Sequence, residues 1–194
     1  MNTRERISDL IGAIVPFDEI ERDHKEDAVR WIKSGAEIFR IERPAVPLKH
    51  LVCYTVLCDL ERQKILLLEH KTAERLLANG GHLDKNEMPY DTAKRELMEE
   101  LGVEARFVQS DWQAPFFISQ VETVGKTPGH IDVDLWYLLK GDAEKSLNDQ
   151  TEEFRREFGD YDWYGFDEIL AMPIEKFDPN LHRFIGKLKK YYGK

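Results

Sequence analysis

The sequence predicts an α+β fold, a mixed sheet flanked by helices. Runs of β-forming residues and amphipathic helical segments both recur along the 194 residues, without the regular alternation of a parallel β-α-β array. The first 45 residues carry helical periodicity and no strand run. They read as a helical extension (residues 1–45) ahead of one larger domain (residues 46–194) that ends in a helix. No internal repeat or low-complexity tract suggests another division.

Ile7, Leu10, Ile11 and Ile14 recur at helical spacing behind Thr3, an N-cap candidate. Asp18 opens a second helix, with Glu21 in the capping-box position and Gly35 at its end; Ile20, Ala28, Trp31 and Ile32 form its apolar stripe. This helical portion reads as cover for the sheet or for a partner subunit, which would make the protein a homodimer. Pro44 and Pro47 separate it from the strand-rich region. Residues 51–57 are continuously apolar and read as a buried strand, and a turn over 59–63 leads to a second strand over 64–69. Residues 70–80 are polar and run into Asn79-Gly80-Gly81, a loop signal. A helix over 89–101 precedes strands over 103–108, 116–122 and 131–140. A short acidic helix near 151–158, a strand around 162–166 and helices near 167–172 and 180–192 complete the chain.

Charge and cysteine usage narrow the function. With 37 Asp and Glu against 28 Lys and Arg, the formal charge is −9, the wrong sign for a non-specific nucleic-acid binder. An acidic chain would also repel a phosphate ester unless a metal intervened. No window of about 18 apolar residues offers a membrane span, and the N-terminus lacks the apolar core of a signal peptide. Cys53 and Cys58 lie five apart on one expected strand, so they face opposite ways and cannot pair. Two free thiols without an export signal fit a reducing cytoplasm.

The chemistry concentrates in residues 80–103. Pro89 suits the first turn of a helix, Asp91 its positive end, and Gly102 the left-handed position that stops it. At about 100° per residue, Glu96, Glu99 and Glu100 occupy roughly 100° of arc within one turn, while Leu97 and Leu101 face away toward a core. Three carboxylates packed this closely repel one another. Beside a Gly-Gly turn, an oxygen-seeking cation such as Mg²⁺ is the economical explanation. A solvated acidic helix face is the bland alternative.

The segment resembles the Nudix box, Gly-x5-Glu-x7-Arg-Glu-U-x-Glu-Glu-x-Gly-U with U aliphatic. Gly81, Glu87, Arg95, Glu96, Leu97, Glu99, Glu100, Gly102 and Val103 fill every fixed position over 23 residues. Residues 50–52, 64–70 and 130–137 look like a bacterial Nudix group with a helical N-terminal extension. The resemblance implies an α/β/α sandwich with a mixed, curled sheet, and Mg²⁺-dependent hydrolysis of a diphosphate linkage, with Mn²⁺ as a substitute ion. By position it makes Glu96, Glu99 and Glu100 metal-binding carboxylates, with the Gly80 carbonyl as a further ligand. Arg95 orients a glutamate, either Glu99 or Glu87, and Glu87 steadies the loop–helix unit. Asn79 departs from the proline common before the two glycines, which bears on loop stiffness more than on chemistry. Glu96 is one candidate for the general base; Asp132, Asp149, Glu152 and Glu153 are the others.

Outside the box, His130 and Asp132 alternate with Asp134 and Trp136 on one strand face, either lining the cleft or forming the polar side of a half-buried strand. Lys71 is a phosphate-contact candidate; His82 and adjacent Phe116 and Phe117 are weaker signals, the phenylalanines reading as core. The expected substrate is a small nucleotide-type molecule, a nucleoside triphosphate foremost. A Nudix-fold module that binds a nucleotide without cleaving it would have lost box glutamates, and none is lost. A Nudix-fold isoprenoid diphosphate isomerase would need a cysteine in its own motif, and neither Cys53 nor Cys58 has that context.

Overall fold

The computed structural model describes residues 2–43, 45–111, 113–123, 129–145, 147 and 151–193. Helix α1 spans Thr3–Ala13, and its cap is Asn2 rather than Thr3: the Asn2 side chain accepts from the Glu5 N–H and the Glu5 carboxylate accepts from the Asn2 N–H. Helix α2 spans Glu19–Lys33 with Asp18 as its cap, and Gly35 takes the left-handed backbone (φ +83°) just beyond. Glu21 does not close the expected box with Asp18. Its carboxylate accepts from the Phe17 N–H (2.6 Å) and reaches into the protein.

Seven strands form one mixed sheet: β1 (Lys49–Asp59), β2 (Lys64–His70), β3 (Arg75–Leu77), β4 (Asn79–His82), β5 (Phe117–Glu122), β6 (Ile131–Lys140) and β7 (Phe158–Gly165). Their order is β3-β2-β1-β6-β5, with β4 also on β1 and β7 on β2. The β1–β6 pair is parallel, and the others are antiparallel. Helices α3 (Pro89–Leu101), α4 (Glu152–Glu157), α5 (Phe166–Ala171) and α6 (Leu181–Tyr192) complete the fold.

The period of two along β1 sorts the core into two layers. Leu51 and Cys53 pack with Ile7, Ile11, Ala28, Ile32 and Ala93, and Leu57 packs with Leu97, Leu101 and Phe154, so α1 to α4 cover that face. Val56 and Cys58 pack with Trp136, Phe184, Ile185 and Leu188, which puts α5 and α6 on the other. The two thiols therefore lie on opposite faces, both buried and free. Phe116 and Phe117 are core, each 5.8 Å from the Phe184 ring.

Two segments differ from the sequence expectation. The polar stretch over 70–80 contains β3, paired with β2, and the start of β4, whose glycines permit close pairing with β1. A Cβ on Gly80 would come 2.2 Å from the Cys53 carbonyl oxygen. Conversely, residues 103–108 make only one bridge, Phe107 to Leu139, and form no strand.

The N-terminal helices are bound into the core by buried polar contacts. Glu21, fully buried, accepts from Lys187 Nζ at 2.6 Å and from the Ile118 N–H at 3.3 Å, tying α2 to α6 and β5. Asp18 takes both arms of Arg183 at 2.6 and 2.8 Å. Burial raises the Glu21 carboxyl and lowers the Lys187 ammonium, so desolvation outweighs the pairing on both sides.

Candidate active site

Helix α3 starts with Pro89 in its first turn and stops at Gly102, whose left-handed φ of +64° needs no side chain. Leu97 and Leu101 anchor it to the sheet, which leaves the opposite arc to its carboxylates. Strand β4 runs alongside. A Cβ on Gly81 would lie 2.2 Å from Glu96 Oε1, so the glycine makes room for that carboxylate. Glu96 (9% exposed) and Glu100 (5%) are buried at this junction, whereas the Glu99 side chain is half exposed.

Arg95 organises the cluster and contacts both glutamates offered by the sequence. It grips Glu87 with two bonds (3.0 and 2.9 Å), reaches Glu96 at 2.7 Å and Glu99 at 3.2 Å, and donates to the His82 carbonyl at 3.2 Å. Glu87 in turn accepts from the Asp84 N–H and the Thr92 hydroxyl, stitching the loop to the helix. Although burial acts the other way, these bonds, Arg95 foremost, hold the Glu87 carboxyl below its ordinary value.

Among the described residues Glu100 has no such cation. Its Oε2 accepts from Asn79 Nδ2 at 2.6 Å, and burial, then the neighbouring Glu96, pushes its carboxyl up to about 8. Burial also raises Glu96, against the pull of Arg95. Asn79 Oδ1 is buried without a hydrogen-bond partner among the described residues. Paired buried carboxylates, an orphaned amide oxygen and a glycine cradle make an all-oxygen donor set, and it fits a hard divalent cation. Asn79, read from sequence as a matter of loop stiffness, thus touches the cluster directly.

The remaining candidates are dispersed. Glu152 and Glu153 are exposed on α4, and Asp149 lies outside the described residues. The α4 acid whose charge reaches Glu100 is Glu157, which the sequence reading passed over. Lys71 bonds the Arg155 carbonyl and lines a cleft of about 420 Å³ with Arg75, Tyr164 and Lys176; no box residue lines that cleft. Asp134 and Trp136 are core: Trp136 Nε1 donates to Ser119 Oγ (2.9 Å), which donates to Asp134 (3.0 Å).

His130 and Asp132 meet His50 and His82, and that grouping also escaped the sequence reading. The signal was the strand parity of His50, an imidazole in an apolar run whose partner in β6 is Asp132. Burial, then Arg40 and His50, pulls the His82 imidazole down to about 3.

A mixed sheet between helical layers, with an Arg-organised glutamate cluster beside a glycine-containing strand, fits a hydrolase that works with a divalent ion. The NUDIX domain model matches residues 49–185, and the chain belongs to that family. Among solved structures it is similar to a NUDIX-family hydrolase from Clostridium perfringens (TM-score 0.53, 21% identity, 73% of this chain and 97% of that one). It is also similar to a NUDIX hydrolase from Nitrosomonas europaea (0.54, 18%, 73% and 89%). A third is the dihydroneopterin triphosphate pyrophosphohydrolase of E. coli (0.54, 14%, 80% and 98%). At these identities the likeness is one of fold. No curated protein matches the chain. Family and fold together make it a hydrolase acting on pyrophosphate linkages.

Proposed function

We propose that the chain hydrolyses a nucleoside diphosphate derivative, foremost a nucleoside triphosphate with release of pyrophosphate, using Mg²⁺ or, in its place, Mn²⁺. Glu96, Glu99, Glu100 and the Gly80 carbonyl hold the ion. The observation that carries this reading is the buried Glu96–Glu100 pair beside Gly81, where Glu100 meets only a neutral amide among the described residues. When bound, the ion neutralises phosphate oxygens and acidifies water. Glu96 accepts the proton of the attacking water, held in orientation by Arg95, which is itself fixed by Glu87. Lys71, on a cleft of mixed charge that it shares with Arg75, Lys176, Glu69 and Glu74, serves as the substrate contact away from the cleaved bond. The triphosphate preference draws support from the neighbour that bears a triphosphate pyrophosphohydrolase name.

On this reading residues 1–45 are an extension to a hydrolase domain over 46–194. The exposed apolar residues of that extension, Val15, Ile20 and Ile41, are the surface for a homodimer, which gel filtration of the full chain tests. No helix among the described residues is long and apolar enough to cross a membrane.

The deciding experiment is a panel of nucleoside di- and triphosphates, nucleotide sugars and dinucleotides with Mg²⁺, scored for released phosphate and pyrophosphate. Turnover of a triphosphate to monophosphate and pyrophosphate, abolished by EDTA, is expected. Turnover of nucleotide sugars alone refutes the triphosphate preference, and turnover that survives EDTA refutes the metal assignment.

A further inference from the structure

On the α6 side of the sheet, the ends of β1, β4 and β6 gather three imidazoles and a carboxylate. Register explains the meeting. His50 pairs with Asp132 across β1 and β6, and Val52, two residues along β1, pairs with His82 of β4. His130 precedes Asp132 by two, so all four side chains share one face. We propose that His50, His130 and Asp132, with His82 as a fourth donor, form a second metal site for a divalent transition ion of the Zn²⁺ class. This site is separate from the carboxylate helix, and its occupancy does not depend on the hydrolase reading.

Distance comes first. The donor atoms of His50, His130 and Asp132 lie within 4.8 Å of one another. Asp132 Oδ1 is 3.1 Å from His50 Nε2 and 3.5 Å from His130 Nε2, and His82 Nε2 is 3.1 Å from His50 Nε2. Zinc bonds of about 2.0–2.2 Å at tetrahedral angles separate neighbouring donors by about 3.3 Å. The side chains already stand at that spacing.

Proton placement points the same way. His50 Nδ1 lies 2.8 Å from the Pro47 carbonyl, an acceptor only, so the proton is on Nδ1 and Nε2 presents its lone pair. The Thr123 hydroxyl donates to the His130 carbonyl (3.1 Å) and lies 2.6 Å from His130 Nδ1; with the Nδ1 proton directed at that hydroxyl, Nε2 offers its lone pair to an ion. Fixing the outer nitrogen on a backbone or hydroxyl acceptor is how proteins orient imidazoles toward a metal. Asp132 Oδ1 is buried with no hydrogen-bond partner among the described residues. A proton on His82 Nε2 can satisfy His50, while Asp132 Oδ1 still lacks a hydrogen-bond partner among the described residues. A cation among the donors would supply it.

Donor chemistry then selects the ion. Imidazole nitrogens suit Zn²⁺ and its transition neighbours, whereas Mg²⁺ and Ca²⁺ take oxygen. The site carries one carboxylate, and the Arg40 charge acts on it. Affinity must therefore come from nitrogen coordination rather than net charge, which disfavours the hard ions further. The two metals would sit on opposite faces of β4, Gly81 toward one and His82 toward the other.

Co²⁺ titration of the chelator-stripped full chain tests the site, in a Glu96→Gln/Glu100→Gln background that disables the carboxylate helix. We expect one Co²⁺ per chain, with the visible bands of a four- or five-coordinate nitrogen–oxygen site, displaced by Zn²⁺ and not by Mg²⁺. His130→Gln and Asp132→Asn should each weaken Zn²⁺ binding more than about 100-fold, since losing an outer-sphere partner alone costs roughly 10–100-fold. These two variants are chosen over His50, which is wholly buried, and circular dichroism confirms that they fold. Absence of the Co²⁺ bands, displacement by Mg²⁺, or unchanged Zn²⁺ affinity in both folded variants overturns the assignment.

Discussion

Two adjacent glycines separate the chemistry of this protein from its stability. In Gly81→Ala the new Cβ would lie 2.2 Å from Glu96 Oε1 and 2.4 Å from Glu96 Cδ. Ordinary carbon–oxygen contact needs about 3.4 Å, so the carboxylate must retreat by about 1 Å, a misplacement that costs a positioned group about 10²-fold in rate. The obstacle is the end of a side chain, and Gly81 is not at positive φ, so the backbone accepts alanine. Melting should change by less than about 1 kcal/mol. In Gly80→Ala the same-sized group meets the Cys53 carbonyl at 2.2 Å and Tyr54 Cα at 3.0 Å, which is backbone against backbone. Strand β4 must lift from β1, at a cost of about 3 kcal/mol or more. Pyrophosphate release measured beside thermal melts distinguishes the two. Wild-type kcat in Gly81→Ala would show that Glu96 is not the positioned base, and a wild-type melt in Gly80→Ala would refute the close β1–β4 approach.

Other changes should have equally specific effects. Glu100→Gln should lower turnover by orders of magnitude with the fold intact, because it removes a metal-binding charge. In metal-free wild type, Glu100 holds its proton up to about pH 8 when folded but only to its ordinary value near 4.5 when unfolded. The folded state therefore binds more protons in that window, and stability falls as pH rises through it. Melts in EDTA should show this decline, and Glu100→Gln should flatten it. Arg95→Lys keeps the charge but loses the two-armed grip on Glu87, so kcat should drop about 10²-fold with KM little changed. Lys187→Met strands the buried Glu21 and should cost about 3–5 kcal/mol in a denaturant melt, most of it recovered by adding Glu21→Gln.

The sequence exposes whatever depends on local pattern. Helix α3 begins and ends as Pro89 and Gly102 dictate, and β6 has the limits its apolar run suggests. Gly80 and Gly81 read as a loop but lie in β4, because glycine serves loops and close strand approach equally, and only the neighbouring Cys53 and Glu96 decide between them. The cap at Asn2 was missed because Thr3 offers the same chemistry one residue later. Contacts between distant segments left little trace. Glu21 looked like a capping residue because its partner, Lys187, is 166 residues away. His50 falls just outside the apolar strand read over 51–57, and its polar neighbours arrive from β4 and β6. The Nudix box escapes this limit, since its members lie within 23 consecutive residues running from β4 through α3.

The Glu21–Lys187 pair also bears on how the chain is made. Synthesis at about 5–20 residues per second puts the lysine on the order of ten seconds or more behind the glutamate. Until then the N-terminal helical hairpin has an acid with no cation to meet, so it cannot settle as an independent early unit. Helix α6 completes α2, and a ribosome stalled before residue 187 would hold a nascent protein whose N-terminal hairpin is still unfinished.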